Sequence, residues 1–280
     1  MHLNCSGRLL DLSRPQVMGV LNVTTDSFSD GGRYRNVDAA VAHGAALAAE
    51  GAAIIDVGGE STRPGAPPVG VQEELDRVLP VIEALSARID VPLSVDTMKP
   101  EVMREAVKAG AGMINDVQAL GAPGALEAAA ASGAAICLMH MRGTPRTMQE
   151  APHYDDVVSE VGEFLWQRAA ACEAAGIAPE RICVDPGFGF GKTTAHNLTL
   201  LAGLHALTSS PWPVLVGLSR KSMLGSLTGR PVEERLPGSL ALATIATLHG
   251  ARIVRAHDVR ATVDAVNVAW ATRNAGRKQG

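Results

Sequence analysis

Short apolar runs alternate with helical patterns along almost the whole chain. Eight of these runs are nearly continuous in apolar residues, as expected of parallel strands that are buried on both faces. They cover residues 17–21, 53–57, 92–95, 113–114, 135–139, 181–184, 213–216 and 252–254. The helical patterns between them have apolar residues spaced by three and four, as at Val71, Leu75, Val78 and Ile82. Eight strands that alternate with helices predict an α/β fold, a (β/α)8 TIM barrel.

A glycine ends five of the helical patterns, just before the next apolar run begins. These glycines are Gly51, Gly110, Gly133, Gly176 and Gly250. Glycine just past a helix supplies the left-handed conformation that stops it, so the five joints predict five αβ units. The first ten or so residues lie outside the strand count, and we expect a short N-terminal extension, a hairpin that closes the bottom of the barrel. Because such barrels are common single domains of about 250 residues, we expect residues 1–280 to form one domain.

Composition and charge exclude several classes of partner. The chain is 46% hydrophobic and 19% charged, which is typical of a soluble globular protein with a substantial core. A net charge of -4 provides no basic surface for nucleic acid or an anionic membrane, so we expect a small-molecule partner. The four cysteines are dispersed without a Cys-x-x-Cys motif, which favours a reducing cytoplasm. We find neither a signal peptide nor an apolar stretch of membrane-spanning length.

Polar residues follow nearly every predicted strand. In chain order they are Asn22, Asp56, Asp96, Asn115 with Asp116, His140, Asp185, Ser219 to Lys221, and Arg255 with His257. In a barrel of this kind the site is built at the carboxyl ends of the strands, where all these residues would meet. Carboxylates and an amide can match the N–H edge of a heterocycle, whereas cations suit a phosphate. The pattern therefore predicts a ligand in which a polar heterocycle is joined to a phosphate or diphosphate.

The segment RICVDPGFGFGK, residues 181–192, combines a strand, an acid and a glycine-rich loop. Asp185 ends the strand, and the loop contains Phe188 and Phe190, two of only four phenylalanines in the chain. Its glycines would let the backbone approach a ligand closely. The other interpretation of this segment is a strand, a turn and two core phenylalanines.

Each candidate residue also has a structural interpretation. Asp96 and Asp185 could cap the following helices, and Asn115 could be a turn residue. Lys221 could be a solvated surface lysine, and Arg255 could pair with Asp258. The histidines at 140, 153 and 196 have no zinc-like spacing, so packing or surface roles are favoured for them.

Seven motifs in order closely resemble dihydropteroate synthase of bacterial folate biosynthesis. They are MGVLNVTTDSFSDGG (18–32), IIDVGGESTRPGA (54–66), SVDT (94–97), IND (114–116), the Asp185 segment, VGLSRKS (216–222) and RAHD (255–258). The resemblance covers nearly the whole chain. Two departures are Thr25, where the family usually has proline, and Ala256, where it usually has valine. Neither departure removes a chemical group.

The resemblance implies an enzyme that joins 6-hydroxymethyl-7,8-dihydropterin diphosphate to 4-aminobenzoate, with release of diphosphate. It further implies a cytoplasmic homodimer, a target of sulfonamides, that uses Mg2+. Asn22 would bind this ion through its carbonyl, together with water and phosphate oxygens.

The resemblance also implies a role for each matching residue. The catalytic set would be Asp96, Asp185, Lys221, Arg255 and His257. The pterin would be bound by Asp96, Asn115, Met139, Asp185, Phe190, Gly217 and Lys221. The diphosphate would be bound by Asn22, Arg63, Arg255 and His257. The aminobenzoate would be bound by Phe28, Thr62, Arg63, Pro64, Phe190 and Ser222.

Two alternative functions fit part of this pattern. A corrinoid-linked methyltransferase domain would bind a pterin with a similar set of acids and an amide, but it handles no diphosphate. A non-catalytic homologue would bind the pterin without turning it over. Asn22, Thr62, Arg63 and Lys221 argue against the second alternative.

Overall fold

A computed structural model describes residues 1–23, 33–61, 65–144 and 147–275. A two-stranded antiparallel hairpin begins the chain and consists of β1 (His2–Cys5) and β2 (Arg8–Asp11). Eight parallel strands follow it. They are β3 (Gln16–Asn22), β4 (Ile54–Gly58), β5 (Leu93–Asp96), β6 (Met113–Asp116), β7 (Ala135–Met139), β8 (Ile182–Asp185), β9 (Leu215–Gly217) and β10 (Ile253–Ala256). All eight predicted strands are therefore confirmed.

The eight strands form one sheet that closes into a barrel. Their order is β8-β7-β6-β5-β4-β3-β10-β9. A bridge between Val184 and Val214 joins the two end strands, and the Val184 N–H donates to the Pro213 carbonyl oxygen at 3.0 Å. The predicted (β/α)8 barrel is thus the observed fold. The predicted run 213–216 corresponds to β9 at Leu215–Gly217, preceded by the isolated closing bridge at Val214.

Helices surround the barrel and cover the outer face of the sheet. They are α1 (Arg33–Ala49), α2 (Val71–Ser86), α3 (Pro100–Lys108), α4 (Ala125–Ser132), α5 (Val157–Ala174), α6 (Thr194–Ala202), α7 (Leu204–Thr208), α8 (Ser222–Thr228), α9 (Leu236–Leu248) and α10 (Val259–Ala275). In α2, for example, Val78, Val81, Ile82 and Leu85 are buried, as the helical spacing predicts. In the described ranges, no helix combines the length and apolar character needed to cross a membrane.

The five predicted glycine joints all have a positive φ angle, between 73° and 116°. A side chain is rarely tolerated in this left-handed region, so glycine lets the chain leave each helix and enter the next strand. Local sequence thus sets the positions of these turns.

The hairpin closes the amino-terminal end of the barrel, as predicted. Leu3, Cys5, Leu10 and Leu12 of this segment are buried against apolar residues that line the barrel interior. These interior residues include Met18, Ile54, Met113, Cys137, Cys183 and Ile253. Because apolar side chains fill the amino-terminal end of the barrel, a polar site can form only toward the carboxyl-terminal end.

The hairpin should contribute to stability through its buried face alone. Leu12 is fully buried in the floor of the barrel, whereas Leu9 on β2 is 68% exposed. We expect Leu12→Ala to lower the free energy of unfolding in urea by about 2–5 kcal/mol, because it leaves a cavity. The matched variant Leu9→Ala should change it by less than about 0.5 kcal/mol. Equal effects of the two substitutions would contradict a packed floor.

Candidate functional site

Strand register places the first group of candidate residues side by side. Asn22 pairs with Gly58, Gly58 with Asp96, and Asp96 with Asn115. These four residues come from adjacent strands β3 to β6, and all lie near the carboxyl ends. Gly58 leaves room for its neighbours, since a Cβ atom there would lie 3.5 Å from Asp96 Cβ and 3.8 Å from Asn22 Oδ1. The side chains of Asn22 and Asp96 therefore face a shared space.

Arg255 on β10 forms a charged bridge to carboxylates on β4 and β5. Its Nε donates to Asp56 Oδ2 at 2.7 Å, and its Nη2 donates to Asp96 Oδ2 at 2.8 Å. Asn115 Nδ2 donates to the same Asp56 oxygen at 3.0 Å. We call the group of Asp56, Arg255 and Asp96 the charged bridge. The fully buried Asp56 carboxylate orients Arg255 and Asn115 directly. Arg255 in turn orients Asp96.

Burial and neighbouring charges act in opposite directions on the pKa values in the charged bridge. Burial raises the pKa of Asp96 to about 7, although the nearby Arg255 charge opposes this shift and the Asp56 charge adds to it. Burial alone would lower the pKa of Arg255, but Asp56 and Asp96 raise it above its ordinary value. Arg255 is consequently a permanent cation, whereas Asp96 changes its charge near neutral pH.

Asp185 ends β8 and opens the glycine-rich loop. Its Oδ1 accepts a hydrogen bond from the Gly187 N–H at 2.8 Å, and the residue is only 5% exposed. Burial raises its pKa to about 6, against the effects of the Gly187 N–H and the Lys221 charge. Met139 at the end of β7 is its register partner, so the two side chains leave neighbouring strands together.

Lys221 and Phe190 lie against each other beside Asp185. The Lys221 Nζ atom is 4.2 Å from the centre of the Phe190 ring. Burial lowers the pKa of Lys221 to about 8, while the Asp185 charge counteracts the shift. Lys221 is therefore not the solvated surface lysine of the structural interpretation, because its cation packs on an aromatic face.

The segments after β9 and β10 are joined by polar contacts. Ser219 Oγ lies 3.0 Å from His257 Nδ1 and accepts from the His257 N–H at 3.3 Å. Arg220 donates twice to Asp258, at 2.6 and 3.0 Å. The expected alternative in which Arg255 pairs with Asp258 is thus wrong. Arg220 takes that partner, and the Arg255 guanidinium instead reaches the carboxylates of β4 and β5.

Three other structural interpretations are also excluded. Lys99 and Thr193 occupy the N-cap positions of α3 and α6, so Asp96 and Asp185 do not cap these helices. Asn115 lies within β6 and is buried, so it is not a turn residue.

His153 and His196 have the surface and packing roles favoured for them, whereas His140 is packed against Phe164 and also contacts the buried Lys192 Nζ at 2.8 Å. His196 takes part in the α6 capping box, His153 is exposed beside Asp155, and His140 is buried.

Several candidates lie at the rim or outside the described residues. Gly217 ends β9, Ser222 is exposed at the start of α8, and Asn22 is exposed at the end of β3. Phe28, Thr62, Arg63 and Pro64, together with Thr25, lie outside the described residues. Within the described ranges, no three His, Cys, Asp or Glu side chains are grouped so that they could hold a metal ion.

Asp56 is the functional residue to which sequence reasoning assigned no role. It was recognised only as a polar strand end, yet it accepts from both Arg255 and Asn115 and is fully buried. The position of Asp56 within the apolar run 53–57 is the sequence signal that predicts burial, and a buried carboxylate requires a partner. That partner is 199 residues away in the chain, so no local pattern could identify it.

Comparisons with known proteins find matches along almost the whole chain. The family model of the pterin binding enzymes matches residues 18–257. The dihydropteroate synthase of Escherichia coli strain K12 is 56% identical over 275 residues, which cover 98% of each chain.

Two solved structures are similar along their whole length. The structure of Yersinia pestis dihydropteroate synthase with a sulfonamide drug complex has a TM-score of 0.93 and 55% identity, and the match covers 98% of this chain and 100% of that chain. Xanthomonas albilineans dihydropteroate synthase in complex with 7,8-dihydropteroate has a TM-score of 0.89 and 56% identity, with 98% and 99% of the two chains covered. These similarities favour neither the corrinoid-linked methyltransferase nor the non-catalytic alternative.

The charged bridge should be needed for folding stability as well as for ligand binding. We expect Asp56→Ala to lower the free energy of unfolding by about 3–5 kcal/mol, because it breaks a fully buried carboxylate's ion pair and leaves the partly buried Arg255 cation with one fewer partner. A matched control is Glu234→Ala, which breaks an exposed pair with Arg230 and should cost less than about 1 kcal/mol. Urea denaturation of the two variants measures both values. A loss below about 1 kcal/mol for Asp56→Ala would show that the bridge carries little energy.

Proposed function

Because the chain belongs to the dihydropteroate synthase family, we propose that the side chains around the charged bridge form its pterin site. The chain is an enzyme that condenses 6-hydroxymethyl-7,8-dihydropterin diphosphate with 4-aminobenzoate to give 7,8-dihydropteroate and diphosphate. The observation that supports the site most directly is the convergence of buried Asn115 and Asp185 with Asp96 at one end of the barrel. Buried polar groups of this kind require partners, and the pterin edge offers them.

The pterin edge would bind to Asp96, Asn115 and Asp185. Ring N–H and amino groups donate to carboxylates, and charge-assisted hydrogen bonds of this type are roughly twice as strong as neutral ones. Asn115 has its amide nitrogen directed to Asp56, so its carbonyl oxygen is presented as the acceptor. Asp56 thereby determines which end of the Asn115 amide meets the ligand.

The faces of the pterin would lie between Met139 and Phe190. Met139 is buried beside Asp185, and the Phe190 ring is held against the Lys221 cation. Lys221 would also donate to the ring carbonyl and nitrogen of the pterin, and Gly217 at the end of β9 would allow close approach. A flat ring between a thioether and an aromatic face matches the preferences of both side chains.

The diphosphate would bind to Asn22, Arg63, Arg255 and His257. The two bonds of the charged bridge use only two of the five N–H groups of Arg255, so its guanidinium can still donate to phosphate oxygens. His257 is oriented by Ser219 at the same end of the barrel. The aminobenzoate would bind beside Phe28, Thr62, Arg63, Pro64, Phe190 and Ser222.

The oxygen donors at the end of β3 fit a Mg2+ ion. Asn22 is exposed there, with its side-chain oxygen close to the space occupied by Asp96. Since the described residues contain no cluster of three acidic or histidine ligands, diphosphate oxygens and water would supply the remaining ligands, as this cation prefers. When bound, Mg2+ would neutralise charge on the leaving diphosphate.

The chemistry of the substrates favours cleavage of the C–O bond ahead of formation of the C–N bond. The amine of 4-aminobenzoate is a poor nucleophile, whereas a dihydropterin can delocalise positive charge from its exocyclic methylene group. Asp96 and Asp185 would stabilise this cation, and Arg255 and His257 the departing diphosphate. We assign no nucleophilic side chain, because this route requires no covalent enzyme intermediate.

We extend the proposal to domain organisation, location and assembly. Residues 1–280 would form one pterin-binding barrel domain, because all eight barrel strands belong to one closed sheet. All four cysteines are free, buried thiols, which supports a reducing cytoplasm. A homodimer is supported by the family resemblance and by exposed Ile245, Leu248 and Val268 on the adjoining helices α9 and α10.

Incubation of the purified chain with both substrates and Mg2+ tests the proposed activity. We expect 7,8-dihydropteroate and diphosphate to appear in equal amounts. Pterin binding without product in this assay would identify a binding protein instead of an enzyme.

Asp185→Asn should weaken pterin binding, because the amide presents a donor where the carboxylate presents only acceptors. An unpaired buried donor costs about 1–3 kcal/mol, so the Kd measured by calorimetry should rise roughly 5- to 150-fold. Asp116→Asn is a matched control, since Asp116 is also buried but accepts from the Gln118 and Leu120 N–H groups. A parental Kd in Asp185→Asn would remove Asp185 from the pterin site.

Pterin affinity should also fall as the pH is lowered through about 6. The pKa of Asp185 is about 6, and below this pH its carboxylate gains a proton and loses an acceptor. Asp96, with a pKa of about 7, changes affinity in the same direction. Calorimetry between about pH 5 and 8 should show this loss, and Asp185→Asn should show a shallower one. An affinity in the parent chain that does not depend on pH would contradict the binding role of both carboxylates.

A further inference from the structure

A buried lysine lies directly behind the pterin site. Lys192 is 2% exposed and follows the glycine-rich loop between β8 and α6. Its Nζ atom lies 2.8 Å from His140 Nδ1, 3.0 Å from the Gly187 carbonyl oxygen and 3.1 Å from the Phe190 carbonyl oxygen. An ammonium group has three N–H donors, and each of them has one of these acceptors. None of the roles assigned above uses this residue.

The acceptor set is consistent with a protonated Lys192 and a neutral His140. Burial lowers the pKa of His140 to about 3, and the Lys192 charge contributes to the same shift. The neutral ring can accept at Nδ1, which places its own proton on Nε2. Burial lowers the pKa of Lys192 to about 7, while the Asp185 charge opposes this shift and the Lys221 and Arg142 charges add to it. The centre of the Tyr154 ring lies 6.0 Å from Nζ.

The loop that Lys192 contacts lies directly on the segment after β7. A Cβ atom at Gly187 would lie 1.9 Å from the His140 carbonyl oxygen, and one at Gly191 would lie 2.5 Å from the Arg142 carbonyl oxygen. Both glycines have positive φ angles, of 67° and 64°. The backbone can therefore adopt this arrangement only without side chains at these positions. Small movements of the loop are limited on this side by the backbone of residues 140–142.

Lys192 contacts the backbone of the two loop residues that hold the proposed pterin-binding groups. Gly187 accepts from Lys192 through its carbonyl oxygen and donates its own N–H to Asp185 Oδ1 at 2.8 Å. Phe190 accepts from Lys192 through its carbonyl oxygen, while its ring lies on Lys221. The Lys192 ammonium group thus links Gly187, whose N–H binds Asp185, to the backbone of Phe190.

We propose that Lys192, held by His140, is a positioning residue of the pterin site that sets the direction of the Asp185 carboxylate and the Phe190 ring. The inference rests on the proposed roles of Asp185 and Phe190 and adds the residue that orients them. Lys192 does not touch the substrate. Its effect on pterin binding is exerted through the loop that it holds.

The first test replaces Lys192 by methionine, which has a similar length but no donor. Calorimetry with 6-hydroxymethylpterin should show a Kd raised roughly tenfold or more. The Kd for inorganic diphosphate in the presence of Mg2+ should stay within about twofold of the parental value. A parental pterin Kd in Lys192→Met would overturn the inference, and so would equal weakening of both ligands. If the parent itself does not bind the pterin, the proposed function fails instead.

A matched control separates positioning from general stability. Arg181 is a partly buried cation just before β8 begins, and it donates to the carbonyl oxygens of Ala134 at 2.8 Å and Ala129 at 3.2 Å. Arg181→Met should lower the Tm without changing the pterin Kd. In addition, Lys192→Met should have a smaller effect in an Asp185→Asn background, since both substitutions disturb one contact. Fully additive effects on the pterin Kd would overturn action through Asp185.

Substitutions of His140 test the same contact without removal of the lysine. His140→Asn keeps an acceptor oxygen near the position of Nδ1, whereas His140→Leu removes it. We expect near-parental pterin affinity for His140→Asn and weaker affinity for His140→Leu. Equal affinities in these two variants would overturn the role of His140, even if Lys192→Met does not fold.

Discussion

The guanidinium of Arg255 holds the buried carboxylate of Asp56 and the carboxylate of Asp96 together inside the barrel. Two carboxylates this close repel each other and lose their hydration, so the cation between them is required. Once the bridge is present, the Asn115 amide is oriented by the same Asp56 oxygen. The charged bridge and Asn115 therefore link four strands, β4, β5, β6 and β10. Protein contacts alone hold these described side chains in place, and such preorganisation reduces the cost of binding.

The closed barrel imposes the second constraint. Register between parallel strands decides that Asn22, Asp96 and Asn115 lie at one end, and the apolar hairpin decides that the other end is filled. Within the barrel, the candidate polar side chains consequently lie toward the carboxyl ends of the strands. The glycine-rich loop after β8 lies at the same end of the barrel. It packs against the segment after β7, and Lys192 donates a hydrogen bond to its Gly187 carbonyl oxygen. Electrostatics, register and loop packing thus act on the same few side chains.

Most of the fold could be predicted from sequence, because its signals are local. Apolar runs located the strands, and the glycine joints, such as Gly110 and Gly250, located the helix ends, since backbone conformation depends on neighbouring residues. The identities of the candidate residues also followed from strand ends and motifs. Their partners did not follow. The bond from Arg255 to Asp96 spans 159 residues, and the contact from Lys192 to His140 spans 52, so only the folded structure reveals them. A charged residue within an apolar run predicts that a partner exists, but it does not identify the partner.

We propose that the charged bridge presents a preformed pterin site at the carboxyl end of the barrel. A crystal structure of the chain with a bound pterin tests it most directly. We predict that Arg255 keeps its bonds to Asp56 and Asp96, while Asp96, Asn115 and Asp185 meet the pterin edge at hydrogen-bond distances of about 3 Å. A pterin bound elsewhere would exclude this site, and an Arg255 that leaves both carboxylates when the pterin binds would exclude a preformed one.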